Sequence, residues 1–340
     1  MQIDAVRDFS AMRELADDWN RLLESSASDV PFLRHEYIST WWQTLGGGEW
    51  QSGELFLVLG KNEQRKLAGI APLFFTQNLQ AEPALMLLGS IEISDYLDLI
   101  AAPQDLPDFI NALLDYLTGP DAPAWKALDF YNILENSPTL SLLTSAAQTR
   151  GWQVQQERLQ HCPYIPIPGD WEAYLAGIDK KQRHEIRRKM RRAETNELPV
   201  SWYIVEDEAN LDVEIDHFLA LMAQDPDKDR FLTDVMRTQM RASVHAAFQA
   251  GWLQLSFLEV GGQKAAGYLN FDYRNRLWVY NSGLSYEFRE LSPGWVLLGY
   301  LLQWANEHQI HSFDFMRGDE DYKYRFGGID RHVMRLVIRR

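Results

Sequence analysis

A weak internal repeat is the feature that most constrains the fold of this 340-residue chain. Residues 53–75 (GELFLVLGKNEQRKLAGIAPLFF) and 251–273 (GWLQLSFLEVGGQKAAGYLNFDY) align without gaps and share six identical residues. Both segments alternate like a strand, pass through a polar turn, and resume a strand pattern at an Ala-Gly pair. A repeat of this kind indicates that one arrangement of elements occurs twice.

The residues that follow each copy predict the same order of elements: strand, helix, strand. These elements fall at 84–90, about 104–118 and 125–131 in the first half, and at 276–282, about 293–308 and 311–317 in the second. The chain between the halves, 151–168, is extended and interrupted by prolines. We therefore predict an α/β domain at 1–155 and another at 156–340, in line with about 150 residues per domain.

Composition and charge exclude several classes of protein. Apolar residues make up 46% and charged residues 24% of the chain, as in folded globular proteins. The single cysteine, Cys162, excludes an internal disulfide, and no metal-binding pattern of Cys or His is present, so we expect no metal. The net charge of −15 disfavours a protein that coats duplex nucleic acid. With no export signal and no apolar run of about 20 residues, we expect a cytoplasmic protein.

Residues 180–192 are the exception to this acidic balance. They carry eight basic residues and one acid, a local charge of +7. A helix with an apolar face is predicted from Trp171 through Ala193, with Asp170 as its N-cap. The basic flanks are either a solvated surface or a site for an anionic ligand or an acidic membrane surface.

The start of the helix at about 293–308 is a candidate anion site. Ser292 is a suitable N-cap, Pro293 suits the first helical position, and Gly294 allows a ligand to approach the backbone. Free N–H groups at a helix start bind phosphate, and Arg289 lies three residues before the cap. The alternative is a well-capped helix with no ligand.

A second candidate site follows the last strand of the repeat, at 313–328 (FDFMRGDEDYKYRFGG). Its nine residues from Arg317 to Arg325 include eight ionisable side chains, two of them tyrosines. α/β folds place ligand groups just beyond strand ends, and such groups can transfer protons. The alternative is a solvated turn whose charges pair with each other.

These motifs together resemble a known family. The Ser-Pro-Gly helix start followed by FDF-x-RG-x-x-x-YK-x-RFG looks like the GNAT acetyltransferase domain of CelD-type (cellulose and exopolysaccharide biosynthesis) proteins. This domain is related in fold to the Fem-type aminoacyl transferases of peptidoglycan. Ser94-Asp95-Tyr96-Leu97-Asp98 is similar to the family's SDY-x-D segment, and Arg183, Arg187 and Arg188 to its R-x-x-x-RR segment.

The resemblance implies tandem duplicated GNAT-like domains, each a mixed, mostly antiparallel sheet flanked by helices. The first half would lack donor binding and supply acceptor-side residues, and the second would bind acetyl-CoA or a longer acyl-CoA. The cofactor-binding residues it implies are Tyr280, Ser282, Arg289, Ser292, Pro293, Gly294 and Trp295. The substrate-binding residues it implies are Asp95, Tyr96, Asp314, Arg317, Arg183 and Arg187. The chain departs from ordinary GNAT enzymes in lacking their Q/R-x-x-G-x-G/A signature, which Arg289 and Gly294 only approximate.

The predicted activity is transfer of an acyl group from acyl-CoA to an amine or hydroxyl of a small molecule, a sugar or a cell-envelope precursor. Asp319 or Glu320 is the predicted general base, with Asp95 as a third candidate, and Tyr322 or Lys323 would protonate the leaving thiolate. Duplication within one chain is compatible with a monomer.

Two other functions stay open at this stage. A Fem-like enzyme would transfer an aminoacyl group from charged tRNA to a cell-wall precursor, although the net negative charge and the absence of a long inserted coiled-coil arm oppose this. A non-catalytic GNAT-like pair would act as a binding subunit of a polysaccharide-synthesis system.

Overall fold

The computed structural model describes residues 1–340 and divides into two compact units. The first unit comprises Met1–Gln160 and His332–Arg340, and the second comprises His161–Arg331. None of the helices combines the length and the apolar composition needed to cross a bilayer.

The first unit is built around one sheet. Its elements before the second unit begins are β1 (Gln2–Val6), α1 (Phe9–Arg13), α2 (Ala16–Leu23), α3 (His35–Gly48), β2 (Glu54–Lys61), β3 (Leu67–Gln77), β4 (Pro83–Leu87), β5 (Ile100–Ala101), α4 (Leu106–Leu117), β6 (Ala127–Leu134), α5 (Pro138–Thr149) and β7 (Gln153–His161). In this sheet β4 and β6 run parallel, while β1, β2, β3 and β4 pair antiparallel in sequence.

The second unit is built around a separate six-stranded sheet. Its elements are β8 (Tyr164–Pro166), α6 (Trp171–Gly177), α7 (Lys180–Glu194), β9 (Val200–Ile204), α8 (Leu211–Met222), α9 (Pro226–Phe231), α10 (Asp234–Gln249), β10 (Leu253–Val260), β11 (Gln263–Tyr273), β12 (Arg276–Leu284), α11 (Pro293–Glu307), β13 (Ser312–Asp314) and α12 (Asp321–Arg325). The strand order is β8-β13-β12-β11-β10-β9, and only β12 and β13 run parallel.

The fold-class prediction is confirmed. Each unit contains three antiparallel strands, a helix, and a fourth strand parallel to the third: β2-β3-β4-α4-β6 in the first unit and β10-β11-β12-α11-β13 in the second. Both sheets are mixed and mostly antiparallel, with helices beside them. The repeat detected in the sequence coincides with the first hairpin of each series.

The last strand, β14 (His332–Arg339), corrects the sequence-based division of the chain. The sequence pattern predicts that residues 156–340 form the second half. In the structure β14 lies between β6 and β7 in the first unit's sheet, with Leu336 opposite Phe130. Its alternating apolar residues, including the fully buried Leu336, complete the core of that unit.

Two segments whose pattern predicts one continuous helix each, 171–193 and 229–250, are interrupted in the structure. The helix predicted from Trp171 through Ala193 ends at Gly177 and restarts at Lys180, because the Asp179 carboxylate accepts hydrogen bonds from the N–H groups of Lys181 and Gln182. Thr233 likewise begins α10 by accepting from the Met236 N–H at 3.2 Å. Side chains that accept first-turn N–H groups favour a new helix start over a continuous helix. The predicted N-cap Asp170 is confirmed by its 2.6 Å bond from the Ala173 N–H.

α11 and α8 cover opposite faces of the second unit's sheet. Leu277 and Val279 of β12 belong to the buried cluster that includes Val296, Leu297 and Leu301 of α11. On the other face, a Cβ added at Gly283 would lie 2.6 Å from the backbone nitrogen of Met222 in α8. These two helices fix the position of the last residues of β12.

Candidate active site

β12 separates from its neighbour β13 halfway along its length. The parallel pairing ends at Trp278, opposite Asp314, and residues 279–284 continue while pairing only with β11. This opening, which we call the splay, exposes one edge of β12 to a ligand. An unpaired strand edge presents N–H and C=O groups that can bind an extended chain.

A β-bulge lies within the splay. Asn281 is opposite Leu269, whereas Val279 is opposite Asn270, so Tyr280 is an extra residue in β12. A bulge leaves one residue out of the regular ladder and redirects its side chain. The Tyr280 ring stacks on Phe271, with centroids 5.2 Å apart, and does not line the pocket described next, contrary to the predicted role of its side chain in cofactor binding.

A pocket of about 380 Å³ lies between the splay and the start of α11, with mostly apolar atoms on its surface. It brings together six of the seven predicted cofactor-binding residues and one predicted catalytic residue: Ser282, Arg289, Ser292, Pro293, Gly294, Trp295 and Tyr322. The remaining lining residues were not predicted: Lys189, Tyr268, Leu284, Ser285, Tyr286 and Leu298. A pocket with an apolar wall and a few convergent polar groups is typical of a small-molecule site.

The start of α11 is open to a ligand because Ser292 does not cap it. Ser292 has a left-handed backbone (φ 53°) and its side chain makes no capping hydrogen bond, so the predicted N-cap is wrong. Pro293 has no N–H, and the N–H groups of Gly294 and Trp295 have no partner within the chain. Uncapped first-turn donors and the positive end of the helix favour an anion at this position.

Two cations adjoin this helix start. The Lys189 Nζ lies 4.2 Å from the Trp295 ring centroid, and burial lowers the pKa of the Lys189 amine against the attraction of Glu185. Arg289 is exposed at the rim, 3.8 Å from Glu290. Lys189 belongs to the basic segment noted in the sequence, but nothing in the pattern distinguished it from its seven basic neighbours.

The other two basic-helix residues predicted to bind substrate have structural partners. The Arg183 guanidinium donates to the carbonyl oxygens of Leu175 and Ala176 at 3.3 and 3.4 Å and so closes the end of α6. Arg187 forms an ion pair with Glu172. These arginines therefore connect α7 to α6, and their predicted role in substrate binding stays a prediction.

Asp314 and Lys323 stabilise the loop after β13. The buried Asp314 carboxylate accepts from the Met316 N–H at 3.0 Å and pairs with Arg331. The Lys323 side chain is only 3% exposed, and its Nζ donates to the Arg317 and Gly318 carbonyls at 2.8 and 3.2 Å and to Glu320 at 2.8 Å. These contacts give Asp314 and Lys323 structural roles, and the substrate-binding role of Asp314 and the proton-donor role of Lys323 stay predictions.

Tyr322 and Glu320 are the ionisable loop residues best placed for chemistry. Tyr322 lines the pocket, and burial, reinforced by the Glu320 carboxylate, raises the pKa of its phenol. Burial also raises the pKa of Tyr268 on the pocket wall, again with a contribution from Glu320. Both phenols are therefore protonated at neutral pH. Asp319 and Glu320 are both exposed and neither lines the pocket, but Glu320 is the carboxylate whose charge acts on the Tyr322 and Tyr268 phenols.

Lys228 of α9 is a further residue that the sequence analysis missed. Its Nζ donates to the Asn281 side-chain oxygen at 3.0 Å and to the Ser282 carbonyl, both within the splay. Burial lowers the pKa of the Lys228 amine, and the negative charges of Asp225 and Glu320 act against this. Its sequence context, DPDKDR, is typical of a solvated turn, so no pattern indicated its position.

Asp95 and Tyr96 are buried in the first unit, between β4 and β5, with exposed fractions of 6% and 1%. The neighbouring Asp98 accepts from the Ser137 hydroxyl at 2.5 Å and the Leu99 N–H at 2.8 Å, and burial raises the pKa of the Asp98 carboxyl. The segment thus packs inside its own unit. The acceptor-side role of Asp95 and Tyr96 stays a prediction, as does that of Arg317 in the second unit.

Comparison with known proteins finds a similarity in the part of the chain that forms this site. Residues 180–324, which contain the pocket and the splay, match the family model described as an acetyltransferase (GNAT) domain. No curated protein matches the chain.

Solved structures share the fold over the whole chain. The crystal structure of FemX is 12% identical, with 98% of this chain and 97% of FemX covered and a TM-score of 0.66. The C-terminal domain of a putative lysylphosphatidylglycerol synthetase from Agrobacterium fabrum is 12% identical, with 98% and 92% covered and a TM-score of 0.57. L-PGS from Bacillus licheniformis is also 12% identical, with 95% and 91% covered and a TM-score of 0.57. At this identity the similarity establishes a shared fold.

Proposed function

We propose that this protein transfers an acyl group from an acyl-CoA thioester to an amine or hydroxyl of a second substrate. The observation that carries the proposal is the continuity of the pocket from the uncapped start of α11 to the splayed edge of β12. A CoA thioester has the matching sequence of parts: a pyrophosphate, an extended amide-containing arm and an apolar end.

In this proposal the pyrophosphate binds the N–H groups of Gly294 and Trp295, with Lys189 and Arg289 as counter-ions. Helix starts and cations both stabilise phosphate. The extended arm lies along the splayed edge of β12, where the Ser282 carbonyl also accepts from Lys228. The thioester then lies at the bulge near Tyr280, with the sulfur towards Tyr322.

The acceptor attacks the thioester carbonyl directly. A C–N or C–O bond forms, the C–S bond breaks, Glu320 takes the proton of the nucleophile, and the Tyr322 phenol donates its proton to the departing thiolate. Positioning of the two reactants and donors aimed at the oxyanion supply much of the rate enhancement. The raised pKa of Tyr322 keeps its proton available at neutral pH.

The acceptor belongs, in our proposal, to small-molecule, sugar or cell-envelope precursor chemistry. The motifs that resemble CelD-type proteins support this, as does the fold shared with FemX and with a putative lysylphosphatidylglycerol synthetase. We place the reaction in the cytoplasm, where acyl-CoA is available.

Acceptor-dependent release of free thiol from acetyl-CoA and longer acyl-CoA substrates tests the proposal. We expect Tyr322→Phe to lower kcat by about 10²–10⁴-fold, the usual contribution of general acid catalysis, while acyl-CoA binding is retained. Tyr324→Phe is the matched control, because Tyr324 lies in the same helix but does not line the pocket.

Two results would contradict the proposal. Consumption of aminoacyl-tRNA with no thiol release from any acyl-CoA would indicate the Fem-type reaction. Failure to bind any acyl-CoA, with glycan or protein binding retained, would indicate a non-catalytic subunit.

A further inference from the structure

Lys228 carries a positive charge that no side chain of the protein neutralises directly. Its half-buried ammonium donates to two uncharged oxygens, those of the Asn281 side chain and the Ser282 carbonyl, and no carboxylate lies within ion-pair distance. Asp225 and Glu320 attract it only at longer range, and burial outweighs them in its lowered pKa. A desolvated charge without a counter-ion is costly, and such charges are concentrated at functional sites.

This ammonium approaches β12 from the face opposite the donor pocket. Side chains alternate along a strand, and those of Ser282 and Leu284 line the pocket beside α11. Gly283 is directed to the other face, against the backbone of α8, and the Asn281 side chain shares that direction. The proposed acyl donor and Lys228 therefore contact the same few residues of β12 from opposite faces of the sheet.

One N–H group of the Lys228 ammonium has no acceptor on β12. A lysine ammonium has three N–H groups, and Lys228 uses two of them on β12. Glu320, the proposed general base, is the acid of the loop after β13 whose charge acts on Lys228. Lys228 could therefore bind one end of an acceptor molecule as a cation, and Glu320 could act as the base at its other end.

We propose that Lys228 binds an anionic group of the acceptor, a carboxylate or a phosphate, and that this contact orients the nucleophilic amine or hydroxyl towards Glu320. The inference rests on the proposed acyl transfer and adds the chemical class of the acceptor. It makes Lys228 a specificity-determining residue for the acceptor.

Kinetics with matched acceptors test this directly. The probes are serine with serinamide, glycine with glycinamide, and glucosamine 6-phosphate with glucosamine, each with acetyl-CoA as donor. We expect the wild-type protein to favour the anionic member of a pair. Lys228→Met should raise the KM for that member by about ten- to a hundredfold, the effect of losing one charge-assisted hydrogen bond, and should affect the neutral member less. Lys228→Arg should retain the preference, since it retains the charge.

A preference for anionic acceptors that persists in Lys228→Met would overturn the inference. So would a loss of activity in Lys228→Met that is equal for anionic and neutral probes, because that result indicates a structural role. Acetyl-CoA binding by the wild-type protein, measured in parallel, distinguishes failure of the proposed function from failure of this inference. No binding of acetyl-CoA contradicts the proposed function. Binding of acetyl-CoA without a preference for anionic over neutral acceptors contradicts only the role of Lys228.

A binding measurement covers the case in which none of these probes is turned over. With CoA bound, the rate at which Lys228 reacts with trace N-hydroxysuccinimidyl acetate is followed by mass spectrometry. We expect inorganic phosphate or glycolate at about 10 mM to slow labelling of Lys228 severalfold and to leave exposed Lys181 unaffected. Equal rates for Lys228 with and without both anions would overturn the inference.

Discussion

Lys189 and Lys323 illustrate how contacts decide the role of a residue near the pocket. Lys189 places its ammonium over the Trp295 ring at the pocket wall, 3.7 Å from its only acidic neighbour, Glu185. Lys323 has all three of its donors engaged by the loop from Arg317 to Glu320. The first lysine can therefore bind a ligand, whereas the second maintains the shape of the loop that carries Tyr322.

Replacing Lys323 should affect folding more than chemistry. We expect Lys323→Met to lower the free energy of unfolding by about 2–4 kcal/mol, because two carbonyl groups and the Glu320 carboxylate lose their partner. Lys181→Met, an exposed change, should stay within about 0.5 kcal/mol of the wild type. Urea denaturation of both variants measures this. Unaltered stability together with lost turnover would instead indicate that Lys323 has a catalytic role.

At the scale of the elements, the site depends on how closely α8 approaches β12. A Cβ at Gly283 would lie 2.6 Å from the Met222 nitrogen and 2.7 Å from the Leu221 carbonyl carbon, both backbone atoms that cannot move independently of the helix. A Cβ at Gly294 would meet only the end of the Leu284 side chain, at 2.6 Å, which can rotate away. The two glycines therefore differ in what a methyl group would displace.

Gly283→Ala should consequently be the more damaging of two identical substitutions. We expect it to lower the free energy of unfolding by about 1–3 kcal/mol, the usual range for overpacking, and Gly294→Ala to cost less. Thermal and urea unfolding of the two variants provide the comparison. An equal effect, or a larger effect at Gly294, would contradict the close contact between α8 and β12.

The elements also indicate how far the sequence could predict the structure. The strands of the repeat and α11 were predictable because their periodicity is long and Gly or Pro marks their ends. The breaks at Asp179 and Thr233 were not, since these side chains compete with a continuous helix only through local hydrogen-bond geometry.

Within the site, the residues around the Ser-Pro-Gly start of α11 were predictable from the sequence. Six of the seven predicted cofactor-binding residues line one pocket. Lys189 and Lys228 were not predictable, because each lies among charged residues that look alike in sequence. Only packing against Trp295 and β12 separates these two lysines from their exposed neighbours.

For the whole molecule, the duplication has produced two units with the same plan and different uses of it. The second unit has a helix that begins with Pro-Gly at a pocket, whereas the corresponding helix α4 of the first unit begins with Leu106 and Pro107. The first unit instead receives the last strand of the chain, β14, between β6 and β7. One copy thus carries the candidate acyl-CoA site, and the other is completed by residues distant in sequence.

Calorimetric titration of acetyl-CoA into the wild-type protein, Gly294→Trp and Gly177→Trp tests the central claim most directly. Gly294 lies at the proposed pyrophosphate site, while a Cβ at Gly177 would meet nothing within 4 Å. We expect saturable binding to the wild type and to Gly177→Trp, and at least tenfold weaker binding to Gly294→Trp with its unfolding midpoint retained. Equal affinity of all three proteins, or binding by none, would contradict an acyl-CoA site at the start of α11.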